Sequence, residues 1–199
     1  MTQPTHAPTF GLFDSDPRIT RDQWCELHSD FERLEIEIGP GDGGFLVEAA
    51  NRTPKTLWMG FEARPSLVTR ILERHPQPAN LRVLRTDGRW VVENLIEEAT
   101  VDAYHVYFPD PWWKKKHHKR RLFTPAFSAA VQRTLVPGGV IYVMTDVAPR
   151  FEEICNALRA VHLKEMEWAD IERPGSSSYE RKYKVQGRKF YATLFERLG

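Results

Sequence analysis

The sequence predicts an α/β fold: a seven-stranded, mostly parallel sheet with helices on both faces and an antiparallel C-terminal hairpin. Three observations predict it. Short apolar runs alternate with stretches whose apolar residues recur at helical spacing. The first three runs each end in a turn that carries an acid, with glycine at the first and third. After Ala160 the alternation stops, and two strand-like runs flank a polar segment. Alternating β and α elements imply parallel strands joined by crossover helices.

The elements follow in order. Residues 1–18 carry three prolines among Thr, His and Asp and read as a flexible tail, leaving 19–199 as a single domain. Arg21 to Arg33 places Trp24, Leu27 and Phe31 at helix-like spacing, a short capping helix. Leu34 to Ile38 is the first strand, and Phe45 to Asn51 the helix after its glycine turn. Thr56 to Phe61 is the second strand. The helix over Ser66 to Arg74 follows, with Pro65 near its start, where a missing N–H costs little. Leu81 to Leu84 is the third strand, Trp90 to Glu98 a helix, and Val101 to Phe108 the fourth strand. Thr124 caps a helix with Pro125 in its first turn, and Phe127, Ala130, Val131 and Leu135 face inward. Pro137-Gly138-Gly139 ends that helix; Val140 to Met144 is the fifth strand and Arg150 to Ala160 a helix. His162 to Trp168 and Phe190 to Phe195 form the final pair, with Gly175-Ser176-Ser177-Ser178 between them.

Composition excludes several classes. With 41% hydrophobic and 28% charged residues, the chain is an ordinary soluble globular protein. No apolar run reaches the roughly 20 residues of a membrane span, so no membrane partner is expected. Cys25 and Cys155 are too few and too far apart for a disulfide framework or a zinc site. A reducing, cytoplasmic setting fits. Oligomeric state, monomer or homodimer, is not encoded legibly.

Charge is concentrated at one place. Phe108-Pro-Asp-Pro-Trp-Trp113 runs into Lys114-Lys-Lys-His-His-Lys-Arg-Arg121, which holds six positive charges and no acid in a chain of net charge +1. The rest of the chain is therefore net negative. A dense cationic run beside a carboxylate and two indoles suits an active site that meets a polyanion, nucleic acid above all. His117 and His118 have no acid or cysteine at ligand spacing, so no metal is expected.

Glu37-Ile-Gly-Pro-Gly-Asp-Gly-Gly44 follows the first strand and opens a helix. Gly39, Gly41 and Gly44 satisfy the dinucleotide spacing, a weak signal alone. Three acids sharpen it. Glu37, Glu62 and Asp87 end the first three strands and share the crevice at their carboxyl ends. An acid after strand two suits a ribose diol, and one after strand three suits the amine of adenine. A pyrophosphate is disfavoured by Glu37 and Asp42, whereas S-adenosylmethionine, with ribose, adenine and a cationic end, accommodates all of them. That favours the methyl donor over NAD.

With these features in this order, the chain resembles the tRNA (guanine-N7)-methyltransferase family of Rossmann-like class I methyltransferases, from about Leu34 to Leu198. The most specific element is Phe108-Pro-Asp-Pro-Trp112 with Lys114 to Leu122. Pro137-Gly138-Gly139 with Thr145-Asp146, and Ser177-Ser-Tyr-Glu180 with Arg181-Lys-Tyr and Gly187, match as well. The resemblance implies a tRNA substrate methylated at a guanine of the variable loop. It implies that Glu37, Gly39, Gly41, Glu62 and Asp87 bind S-adenosylmethionine, with Asp110 bordering donor and acceptor. It further implies that Lys114 and Asp146 contact substrate, that Ser177, Ser178, Tyr179 and Glu180 bind the target nucleotide, and that Lys116, His117, His118, Lys119, Arg120 and Arg121 contact RNA. Ser177 stands where the family usually has threonine, Trp113 where it commonly has histidine, and Gly88 where alanine is usual. Residues 1–18 lack the basic residues often found there.

Guanine N7 carries a lone pair and no proton, so its methylation needs no general base. It needs alignment and carboxylates that favour positive charge on the ring. Asp110, fixed between prolines, is the catalytic candidate; Asp146 could act similarly, and Glu180 could accept the N1 and N2 hydrogens of guanine. Methylation of another RNA or a small molecule, and an inactive RNA-binding relative, stay open as alternatives.

Overall fold

The computed structural model describes residues 30–168 and 173–199, except the side chains of Lys115, His118 and Lys119. The tail expected over residues 1–18, and residues 21–29 of the helix expected over Arg21 to Arg33, lie outside these residues; Asp30 to Glu32 are described and are not helical. Arg33 itself opens the first strand.

One seven-stranded sheet organises the described chain. Its strands are β1 (Arg33–Ile38), β2 (Thr56–Glu62), β3 (Leu81–Arg85), β4 (Val101–Tyr107), β5 (Leu135–Thr145), β6 (Lys164–Met166) and β7 (Tyr191–Glu196). Spatial order is β3-β2-β1-β4-β5-β7-β6. The first five strands pair in parallel, and β7 runs antiparallel between β5 and β6. Every residue of β2 is buried, as a central strand covered on both faces requires. Chain order reverses between β1 and β4, which opens a crevice at the carboxyl ends of those two strands.

The helices are α1 (Gly44–Arg52), α2 (Pro65–Arg74), α3 (Gly88–Asn94), α4 (Pro125–Thr134), α5 (Ala148–Arg159) and α6 (Ser178–Val185). Val91, Val92, Phe127, Val131, Ile154 and Leu158 pack from α3, α4 and α5 into one apolar layer with Ile36, Met59, Val106 and Val143. On the other face Phe45, Leu46 and Ala49 of α1 meet Trp58, Tyr107, Tyr142 and Leu194. Thr124 caps α4 as expected, accepting from the Phe127 N–H at 3.1 Å, and Pro125 opens the helix.

Several boundaries differ from the sequence reading; the third helix, for one, ends at Asn94 and not at Glu98. The third helix begins at Gly88, not Trp90, because Asp87 caps it by accepting from the N–H groups of Arg89 and Trp90. Pro137-Gly138-Gly139 lies inside a strand: α4 ends at Thr134 and β5 starts at Leu135. Leu135 is buried as expected, but in that strand. At Gly139 an added Cβ would stand 2.9–3.1 Å from the carbonyl oxygens of Val136, Asp102 and Val101, so glycine admits the close approach of β4. The C-terminal pair is antiparallel as expected, but it is not a simple hairpin. Helix α6 lies between its strands, and the expected His162 to Trp168 strand shrinks to three residues.

Candidate active site

The floor of the crevice comes from β1. Glu37 is buried, and its Oε2 has no hydrogen-bond partner among the described residues. Burial, then the nearby carboxylates of Asp42 and Glu62, push its pKa up to about 8. Beyond it the glycine turn uses its residues in two ways. Gly39 and Gly41 sit at φ +73° and +60°, and a Cβ on either would meet nothing within 4 Å. They provide a left-handed backbone lining open space. Gly43 and Gly44 instead permit contact: a Cβ would come within 2.9 Å of Ile71 at the first and 2.6 Å of Ser178 Oγ at the second.

Glu62 and Asp87 stand at the ends of β2 and β3, as the sequence places them. Glu62 is buried and accepts from the Arg64 N–H at 2.9 Å through Oε1. Asp87 is exposed and uses Oδ1 for its cap. Gly88, where the resembled family usually has alanine, packs so tightly that a Cβ would lie 3.0 Å from both Ile38 and Phe61.

At the end of β4 the chain turns through Phe108-Pro109-Asp110-Pro111-Trp112. Phe108 and Trp112 adopt φ of +52° and +45°. Bulky residues avoid this region, so the turn stores strain that its surroundings must hold. The Phe108 N–H donates to the Met144 carbonyl at 2.8 Å, and the Phe108 ring packs on Tyr179, Tyr183 and Phe190.

Two cavities meet at this turn. One, of about 460 Å³, is lined by Glu37, Gly39, Gly41, Asp42, Ser177, Ser178, Tyr179 and Lys182. The other, of about 590 Å³, is lined by Glu62, Asp87, Trp112 and Arg120. Asp110, Tyr107, Phe108, Gly39 and Arg64 line both. Asp110 is exposed and makes no hydrogen bond or ion pair with a described residue.

The basic run forms a 3-10 turn over Lys115–Arg120 at the rim of the second cavity. Lys114 and Lys116 are exposed. Arg120 lies 5.1 Å from the Trp112 ring centroid, and His117 meets the same ring edge-on at 5.6 Å. Trp113 is 66% exposed and so is not a core residue. The expected contacts of His118 and Lys119 fall on side chains outside the described set. Arg121, with 18% side-chain exposure, pairs with the half-exposed Glu153 at 3.0 Å.

Two further candidate residues have partners within the fold. Asp146 lines neither cavity at the turn; its Oδ2 accepts from the Tyr183 hydroxyl at 2.9 Å and from Arg188 at 3.3 Å, tying α6 to the end of β5. Glu180 is buried and accepts from Arg173 at 2.9 and 3.1 Å and from Lys184 at 2.8 Å. Two cations therefore hold the Glu180 carboxylate within the fold. Ser177 caps α6, accepting from the Glu180 N–H at 3.1 Å. Ser178 donates to Asp42 at 2.8 Å, locking α6 onto the glycine turn.

Sequence reasoning missed α6, Arg173, Lys182 and the buried polar groups beside Glu37. The spacing Ser177-x-x-Glu180, a helix-start signature, was the available signal for α6. Because Arg173 has only 10% side-chain exposure, removing its carboxylate partner strands a buried charge. Glu180→Ala is expected to destabilise the fold by about 3 kcal/mol in urea unfolding; a loss under about 1 kcal/mol would mean that water reaches Arg173 and replaces the pair.

Among the described residues no helix is long and apolar enough to cross a membrane, and no group of three or more His, Cys, Asp or Glu could hold a metal ion.

Comparison with known proteins agrees with this geometry. A family model described as "Putative methyltransferase" matches residues 32–193. The chain is 33% identical over 165 residues to a tRNA (guanine-N(7)-)-methyltransferase of Myxococcus xanthus, covering 79% of this chain and 80% of that protein. It is 32% identical over 172 residues to the protein of that name from Neisseria meningitidis, covering 82% and 71%. Among solved structures, an aminoglycoside resistance methyltransferase superposes with a TM-score of 0.65 at 18% identity, over 91% of this chain and 95% of that one. A 16S rRNA methyltransferase gives 0.63 at 15%, over 92% and 95%. These two establish the class I methyltransferase fold. By the family model and the sequence relatives together, the chain belongs to the tRNA (guanine-N(7)-)-methyltransferase family.

Proposed function

We propose that this protein transfers the methyl group of S-adenosylmethionine to N7 of a guanine in the variable loop of tRNA. The observation that carries the reading is the position of Asp110, which borders both cavities beside the cationic rim. The relatives bearing that activity in their names support it.

The residues present fit the donor. A buried carboxyl without a partner among the described residues, Glu37, is costly unless a ligand supplies a cation or a donor. The ammonium and sulfonium of S-adenosylmethionine do so; a pyrophosphate would not. Glu62 and Asp87 line the second cavity and hold the adenosine end. Gly39 and Gly41 let the backbone approach the donor. When bound, the donor supplies an electrophilic methyl group on sulfur. The Asp110 carboxylate favours the positive charge that appears on the guanine ring as N7 is alkylated. Tyr179, 53% exposed and 5.6 Å from the Phe108 ring, offers a stacking face for the base. Lys114, Lys116 and Arg120 hold phosphates at the rim. The reaction takes place in the cytoplasm, where tRNA and the donor are both available.

Lys116→Ala combined with Arg120→Ala is expected to weaken tRNA binding and to flatten its salt dependence. Two lost phosphate contacts reduce the slope of log K against log salt by about 1.4 to 1.8. An unchanged slope would remove both residues from the RNA interface. The function itself is tested in cells lacking the gene. Loss of 7-methylguanosine from the tRNA variable loop is the expected result, and its persistence would overturn the substrate assignment.

A further inference from the structure

Glu35, Glu37, His105 and Tyr107 share one face of the sheet at the seam of β1 and β4, where Glu37 stands opposite His105 in register. His105 Nε2 lies 2.9 Å from Glu35 Oε2, and His105 Nδ1 lies 2.8 Å from the Tyr107 hydroxyl. All three groups are buried. Their protons can be placed. Burial alone would raise the Glu35 pKa, but the His105 hydrogen bond and the Arg33 charge hold it below the ordinary value, so it is an anion and accepts only. Burial, against the pull of Glu35 and with the charges of Arg173 and Arg33, lowers the pKa of His105, so it carries a single N–H. That N–H must lie on Nε2, facing Glu35. Nδ1 is then an acceptor, and the Tyr107 O–H donates to it. Burial raises the Tyr107 pKa well above its usual value, so the hydroxyl keeps its proton.

The consequence falls on Glu37. Both protons of the seam point away from it, and its Oε2 has no partner among the described residues. We propose that Glu35, His105 and Tyr107 are positioning residues, a one-way hydrogen-bonded chain that keeps the Glu37 carboxyl vacant for the cationic end of the methyl donor. This rests on the functional reading above. Asp42 from the glycine turn and Glu62 from β2 face Glu37 as well, and neither makes a hydrogen bond with its Oε2. The cations sharing its cavity, Arg64, Arg70 and Lys182, make no ion pair with it in this structure.

Glu35→Gln tests the direction of the chain. A glutamine amide can donate to His105 Nε2, which moves the ring proton to Nδ1 and releases the Tyr107 hydroxyl to turn towards Glu37. Nitrogen-15 spectra of the full-length protein should show His105 protonated on Nε2 in the wild type and on Nδ1 in Glu35→Gln. Calorimetry should show S-adenosylmethionine binding about tenfold weaker in Glu35→Gln, the effect of one competing charge-assisted hydrogen bond. Glu35→Gln should have no further effect in a Tyr107→Phe background, because the competing hydroxyl is gone. A wild-type ring protonated on Nδ1 overturns the proposal without any variant. So does unchanged donor affinity in Glu35→Gln, or an equal loss in both backgrounds, which is what simple damage to the fold would give. A wild-type protein that binds no S-adenosylmethionine overturns the functional reading together with the proposal; one that binds it normally while the variants behave alike overturns the proposal alone.

Discussion

Replacing Asp110 by alanine is expected to lower the single-turnover rate of methyl transfer about 100- to 1,000-fold, while tRNA affinity moves by less than about threefold. The asymmetry follows from where the carboxylate sits. It lines both cavities, makes no bond to a described residue, and hangs from a turn whose flanking residues are held in a left-handed conformation. A side chain with no structural partner can be removed with little loss of stability. Its charge acts on the ring mainly as that ring becomes cationic, so ground-state binding is nearly spared. Asp110→Asn, which keeps the shape and loses the charge, is expected to fall near alanine in rate. If tRNA affinity fell as far as the rate, Asp110 would be a binding residue and the mechanism would need another source of charge stabilisation.

The second large effect is expected at Glu37. Its pKa of about 8, raised by burial first and then by Asp42 and Glu62, has two opposite consequences. In the free protein the carboxyl is protonated while its unfolded counterpart ionises near 4.5, so stability falls as pH rises from about 4.5 to about 8 and falls no further above that. In the complex the donor's cationic end favours the ionised form, so binding releases a proton. Donor affinity is then expected to rise by nearly tenfold per pH unit between about pH 6 and 7.5. Glu37→Gln should abolish that dependence, raise the stability of the free protein at pH 7, and weaken donor binding about 100-fold at pH 7.5. Calorimetry in buffers of different ionisation enthalpy counts the proton directly. A variant that binds as tightly as wild type, or that keeps the pH dependence, would take Glu37 out of the donor site.

The fold was legible because its signals are periodic and local. Parallel central strands such as β2 are continuous apolar runs, and Thr124-Pro125 carries its own start signal. The acids ending β1, β2 and β3 could be assigned to one crevice because parallel strands end on the same side of a sheet. What stayed hidden depends on tertiary contact. Helix α6 buries only Glu180 and Tyr183, so it has almost no apolar stripe to read. Glu180 and Asp146 looked like free acids in sequence because their cations, Arg173, Lys184 and Arg188, are only brought to them by folding. Arg121 looked like its neighbours in the basic run, yet folding pairs it with Glu153, 32 residues further on. Glu35 and His105 lie far apart in sequence, and register between β1 and β4 joins them. Strain at Phe108 and Trp112 cannot be read from residue types that normally avoid those angles.

Mass spectrometry of nucleosides from unmodified tRNA incubated with the purified protein and S-adenosylmethionine tests the central claim most directly. The expected product is 7-methylguanosine, confined to the variable loop and formed about 100- to 1,000-fold more slowly when Asp110 is replaced. Methylation at another atom or base, or 7-methylguanosine formed equally well by the Asp110 variant, would contradict a catalytic centre built around that carboxylate.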